Sequence, residues 1–400
     1  MTLLLLLAGS STGTPPTSVP AQYSGGQLPL DYTPPTWEIW LQRYDGTQLF
    51  ALTPLALDWK IFIGLNGLNS FTLALDLRQL NALGYRDIPL DSMIEFRRRR
   101  GAVRTFSFYK RDFRRERDLY TCSGFGLNWL LQGRNTSAYY AGTSYTVKTG
   151  AIDNLMKEVV RENCYTSAVD RDTAAADTLR DYSQIIGFSV AVNTQQAGDA
   201  TIHCAQDNVY NILVKLANMS AQKGTRLFFE VFRTGDTTFV FDTRAVCYGL
   251  DRRNSRTFGR ENGTMRDTVL EYKRSSEITY LYVTGQGEGQ LRNIAEVSNS
   301  DALDASPLNR REGSYNANQT AAADLTNVGY QQLDKNKPVK LFDGELLDTE
   351  NARYGLDWDL GDMLDAQDGD DEFEIMITGV EFSMTGGGKE QIRGTFEVIS

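Results

Sequence analysis

His203 is the only imidazole in the chain, and it stands beside one of four cysteines in Thr201-Ile202-His203-Cys204-Ala205. A Cys–His catalytic pair needs both side chains on one face, and neighbouring strand positions point to opposite faces. His203 therefore reads as a histidine held by local hydrogen bonds. Cys122, Cys164, Cys204 and Cys247 lie too far apart in sequence for a zinc or redox pair. They fit reduced, buried thiols in a protein folded in the cytoplasm. No metal and no cofactor is expected.

Three further clusters have chemical potential. Gly285, Gly287 and Gly289 are spaced like a phosphate loop. A phosphate cradle also needs a following helix whose N-terminus faces the anion, and Gln290–Val297 lacks the apolar spacing for one. Glu288 would repel phosphate, so the loop reads as a tight connector. Asp365, Asp368, Asp370, Asp371, Glu372 and Glu374 could gather calcium, but their spacing departs from the helix-loop-helix pattern. They read as a solvated acidic turn. Acidic residues abound, so a carboxylate pair for glycoside cleavage has material but no positional signature.

The sharpest basic feature is the run Arg97, Arg98, Arg99 and Arg100. On a strand these side chains alternate between faces, so both faces would be charged. The end of that strand is expected to leave the core and contact a partner, and the four arginines are candidate interface residues. Basic side chains outnumber acidic ones eleven to six over 86–118, whereas 342–382 holds fourteen acids and one base. That asymmetry suits head-to-tail pairing between copies as well as it suits two solvated faces. The net charge of −10 argues against a main task of gripping nucleic-acid phosphates.

Strands must position most of these residues. Trp37, Ile39 and Leu41 alternate with Glu38, Trp40 and Gln42, and Phe71, Leu73, Leu75 and Leu77 form another alternating row. Further strands are predicted at 93–98, 105–110, 119–124 and 185–192. Hairpins are predicted for 227–233 with 237–243 and for 269–273 with 278–283, and a meander over 373–399. No proline falls between Pro89 and Pro307, which suits paired strands that cannot spare an N–H. Two helices stand out. One carries the stripe Ile152, Leu155, Met156, Val159 and Val160, with Thr149 as expected cap. The other carries Val209, Ile212, Leu213, Leu216 and Ala217, with Asp207 as expected cap. A third is expected over 322–333.

The fold class expected is mainly β with a few helices, in several domains. These are an extended Pro/Gly/Ser-rich arm (1–35), a β-barrel-like domain (36–145), an α+β domain (146–250), a second β domain with a connector helix (251–345) and a C-terminal meander (346–400). Within the arm, Leu3, Leu4 and Leu5 need an apolar partner and are interface candidates. The apolar run there lacks a preceding Lys or Arg and is short for a secretory signal, and far too short to cross a bilayer.

The order of several motifs resembles a known family. Asp118-Leu119-Tyr120-Thr121-Cys122-Ser123-Gly124-Phe125-Gly126 precedes the first helix. Gly285–Gly289 with Arg292 follows later, then Pro307-Leu308-Asn309-Arg310-Arg311-Glu312. Near the end stands Arg353-Tyr354-Gly355-Leu356-Asp357-Trp358-Asp359-Leu360-Gly361-Asp362. Over about 36–400 this series is similar to the hub, or tail-tip, proteins of siphophages, the gene-37-like group. The resemblance implies a tail-hub fold with two barrel-like tube domains and a homotrimer that closes the distal tail tube. It implies partners among the distal tail ring, the tape measure and a tail-tip fibre or spike. DNA would pass through its channel without specific binding. The protein would be a non-catalytic virion component made in the host cytoplasm, with no membrane insertion. Two other classes stay open: a tail-associated cell-wall hydrolase, with carboxylates converging in a cleft, and a carbohydrate-binding tail-tip adhesin, with exposed aromatics beside a shallow polar site.

Overall fold

The computed structural model describes residues 36–100, 102–136, 146–166, 168, 177–204, 206–287, 289–318, 325–385 and 390–399. Leu3, Leu4 and Leu5, with the rest of the arm, lie outside them. The chain forms two compact units. One comprises the chain up to Leu250 with Gly379–Ile392, the other Asp251–Thr378 with Arg393–Ser400.

The first unit is built on an antiparallel sheet of β1 (Thr36–Gln42), β2 (Gln48–Ala51), β3 (Ala56–Gly64), β4 (Ser70–Asp76), β5 (Met93–Arg100), β6 (Ala102–Glu116) and β7 (Leu119–Gly126). In space the order is β3-β4-β7-β6-β5-β1-β2, and Gly379–Met384 pairs on the outer side of β3. Period-two burial explains these strands: Trp37, Ile39 and Leu41 face inward on β1, and Phe71, Leu73 and Leu75 on β4. Aromatic edges lock the layer, with Trp37 and Trp59 ring centres 4.6 Å apart and Phe96 edge-on to Phe108 at 5.8 Å. Leu77 leaves the row because Asp76 caps a short helix there, accepting from Arg78 N at 2.8 Å.

Both striped helices form, at Ile152–Cys164 and Val209–Gln222, and their stripe residues are buried. Their caps differ from expectation. Thr149 belongs to the strand Thr146–Ala151, and the first helix starts at Ala151 with no side-chain cap. Asp153 is buried instead, accepting from Thr194 Oγ1 at 3.0 Å. The second helix is capped by Asn208, which accepts from Asn211 N, and not by Asp207. The predicted strand over 185–192 is in part the helix Tyr182–Ile186, with a strand only at Phe188–Val190. Gly187 makes the break: its φ is 61°, and a Cβ there would lie 2.6 Å from the Thr237 carbonyl oxygen.

The expected boundary between 36–145 and 146–250 is corrected. Met93, Tyr109, Leu127, Leu130 and Leu131 share one core with both helices. Asn66 and Asn128 stitch the sheet to Leu227–Gly235, accepting from Phe229 N at 2.7 Å and from Val231 N at 2.8 Å.

In the second unit, Met265–Lys273 pairs antiparallel with Val339–Leu347, and Met363–Asp368 pairs with the start of Asp371–Met384. Thr257–Gly259 runs parallel to Met363–Asp368, and Leu346 and Leu347 pair with Gly394 and Arg393. Phe342 stacks on Phe373 at 4.5 Å, and Trp358 is fully buried with its indole N–H on the Ala352 carbonyl. The predicted hairpin of 269–273 with 278–283 is absent. Residues 274–338 form an insertion whose strand Tyr280–Thr284 pairs with Ile294–Ser298 and Glu312–Asn316, under the helix Leu325–Lys335. Leu281, Val283, Val297, Leu325 and Leu333 give this insertion a core of its own.

The expected separate meander over 346–400 is corrected too, because its strands find partners elsewhere: Met363–Asp368 with Thr257–Gly259, and Gly379–Met384 with β3. The chain is mainly β, as expected, but no closed barrel forms among the described residues. Among the described residues the sheet of the first unit ends at β2, and Met265–Lys273 pairs on one side only in the second.

Candidate functional site

The arginine run lies on β5, and its alternation splits it as a strand must. Arg97 and Arg99 share one face with Glu95. Arg98 turns inward with Ile94 and Phe96. The expectation that this end leaves the core is therefore corrected at Arg98, which is 3% exposed. A distant carboxylate makes that burial tolerable: Glu390 accepts from Arg98 Nε at 2.8 Å and Nη2 at 3.1 Å, and from the Trp37 indole at 2.7 Å. A bidentate, multiply hydrogen-bonded pair is the form in which a buried charge persists. Arg98 is thus a structural tie, not an interface residue. Arg100 pairs with Ala102 at the strand end.

Arg97 and Arg99 border a recess of about 390 Å³ with Val103, Thr105, Arg233 and Asp236. Buried Glu95 is its floor and accepts from both Arg97 and Arg233. Arg97 also lies over the Trp40 ring at 5.3 Å, and Arg99 pairs with Glu38 at 2.7 Å. The Arg99 guanidinium holds the Glu38 carboxyl below its ordinary range. The cations of the recess are met from within, so the site offers shape and fixed donors more than free positive charge.

Among the described residues, the cysteines, the glycine loop and the acidic turn lie on separate elements. The strand Asp199–Cys204 places His203 opposite Val147. Burial pushes the Cys204 thiol up to about 11, and the thiols of Cys122 and Cys164 up to about 12. At neutral pH these are protonated and inert. Gly285 begins the connection between two paired strands, its N–H donating to Asn293 O at 2.7 Å, and a single 3-10 turn at Gly289–Leu291 follows. Around the acidic turn, Gly369 supplies the left-handed residue at φ 61°. Asp365 accepts from Asn254 N at 2.6 Å, and Glu374 from Arg253 at 2.6 Å. Among the described residues no three His, Cys, Asp or Glu gather as a metal site would require.

Strand edges are surfaces that no motif in the sequence marks. Along Met265–Lys273 almost every residue is exposed, including Val269 at 57% and Tyr272 at 60%. Val339–Leu347 meets its second neighbour only at Leu346 and Leu347, so toward Lys273 the pair is a two-stranded ribbon. The four-residue edge strand β2 exposes Leu49. An unpaired edge is a template for another strand, and this one tempers that with Arg266, Asp267, Glu271 and Lys273 and a register shift between Arg266 and Val269. The cue in the sequence is the alternation in Val269-Leu270-Glu271-Tyr272-Lys273, which fits an internal hairpin equally well.

Comparison with known proteins adds the lineage. The family described as Siphovirus ReqiPepy6 Gp37-like protein matches residues 101–396. No curated protein matches the chain. Among solved structures, the 43 kDa tail protein of prophage MuSo2 from Shewanella oneidensis is similar at 11% identity and TM-score 0.53, covering 90% of this chain and 96% of that one. A tail protein from Neisseria meningitidis MC58 is similar at 13% identity and TM-score 0.51, with the same two coverages. Prophage tail protein gp18 from Listeria monocytogenes EGD-e is similar at 9% and 0.51, covering 90% and 94%. At these identities the likeness is one of fold.

Proposed function

We propose, for a chain that belongs to the Siphovirus ReqiPepy6 Gp37-like family of phage tail and baseplate structural proteins, the role of trimeric hub at the distal end of the tail tube. The hub joins the tube to the tip or fibres, with the distal tail ring and the tape measure as neighbours, and leaves a channel for DNA ejection. It acts without catalysis, as a virion component. The observation that carries this reading is the edge strand Met265–Lys273, which among the described residues pairs on one side only and exposes Val269, Leu270 and Tyr272, together with the second edge at β2. Edges of this kind are completed by strands of neighbouring copies, and a closed cyclic arrangement satisfies all of them at once. The net charge of −10 suits a channel that lets a polyanion slide, because each Lys or Arg contact to phosphate adds affinity and salt dependence.

Light scattering on the purified chain and on Val269→Lys/Tyr272→Lys tests the reading. The unsubstituted chain is expected at three chain masses, and the substituted edge at one, still unfolding in a single cooperative transition. Equal masses for both proteins would remove the edge from the account.

A further inference from the structure

The insertion at 274–338 is not needed to complete the sheet of its unit, and among the described residues its helix lies on one face of its own sheet, leaving Tyr280 and Tyr282 partly exposed on the other. The helix Leu325–Lys335 packs over Leu281 and Val283. The alternate residues of the same central strand, Tyr280 and Tyr282, point to the other side with ring centres 5.2 Å apart. Tyr282 stands directly between Glu296 on one neighbouring strand and Ser314 on the other, and both of these are exposed. Tyr280 donates its hydroxyl to Glu296. Arg310 lies 3.9 Å from the centre of the Tyr280 ring and is fixed there by Glu312 at 2.7 Å.

We propose that this face is a glycan-binding platform for a neutral oligosaccharide, with Tyr282 as the stacking ring and Glu296, Ser314 and Arg310 as its hydrogen-bonding rim. The chemistry selects the ligand. A sugar presents an apolar C–H face to an aromatic ring and a girdle of hydroxyls to flanking donors and acceptors, which is what this row of residues supplies. Arg310 is neutralised by Glu312, and Arg292 is held by the uncharged side chains of Asn316 at 2.8 Å and Asn318 at 2.7 Å. The carboxylate of Glu296 beside the rings disfavours phosphate-bearing or otherwise anionic ligands, nucleic acid included. This inference goes beyond the hub role, since a platform of this kind works in a ring or in a single chain.

The test is retention of the purified full chain on an array of neutral, sialylated, sulfated and phosphorylated oligosaccharides, with melting temperature and light scattering recorded for every variant. Neutral glycans are expected to be retained. Tyr282→Ala should weaken retention about tenfold or more, the loss of one aromatic contact, whereas Tyr282→Phe keeps it. Glu296→Gln, at an exposed position, should weaken it without any change in folding, so the rim is tested even if the alanine variant is unstable. No retention of any neutral glycan, retention confined to anionic glycans, or undiminished retention by Glu296→Gln and a folded Tyr282→Ala would each overturn the assignment.

Discussion

Arg98 and Arg99 are adjacent, chemically identical and opposite in role. Arg99 is half-exposed beside Glu38, where solvent screens the pair and its contribution is small. Arg98 is buried against Glu390, so its removal would strand a carboxylate in an apolar layer beside Trp37. Arg98→Ala is therefore expected to cost about 3–5 kcal/mol in urea unfolding, and Arg99→Ala less than about 1 kcal/mol. A double-mutant cycle of Arg98→Ala with Glu390→Ala should show strong coupling between the two sites. Equal small losses for Arg98 and Arg99 would mean that the inward arginine is not the tie described. The run was legible in the sequence as an unusual strand end, but its partner was not: Glu390 lies 292 residues away, and no local pattern announces a long-range counterion.

At the scale of elements, the helices were the most legible parts. An i, i+3, i+4 stripe is self-contained, and Leu155, Met156 and Val159 are buried as their spacing requires. Leu155→Asp should lower stability by about 3–5 kcal/mol, because it places an unpaired carboxylate among Val160, Leu213 and their neighbours. An unchanged denaturation midpoint would show that this face is not core. The caps were less legible. Thr149 and Asp207 are sound cap types, yet the chain enters the first helix from a strand paired to Asp199–Cys204, and that pairing fixes the start two residues later. Strand existence is more legible than strand pairing. Alternation says which face is apolar but not which strand lies alongside, and the partner of Met265–Lys273 lies beyond the whole 274–338 insertion, not next in sequence.

At the scale of the molecule, the mainly β class and, through the order of the motifs, the family are legible in the sequence. The division into units was not legible, because the final strands return to elements far earlier in the chain, as Gly379–Met384 does to β3. Such returns leave no compositional boundary to read. Among the described residues the expected barrels are open sheets, and the hub reading proposed above places their closure in the assembly. Negative-stain imaging of the purified protein tests that claim most directly. The account predicts threefold ring-shaped particles with a central opening, reduced to single-chain particles by Val269→Lys/Tyr272→Lys. Uniform single-chain particles of the unsubstituted protein at high concentration, and within assembled tails, would contradict it.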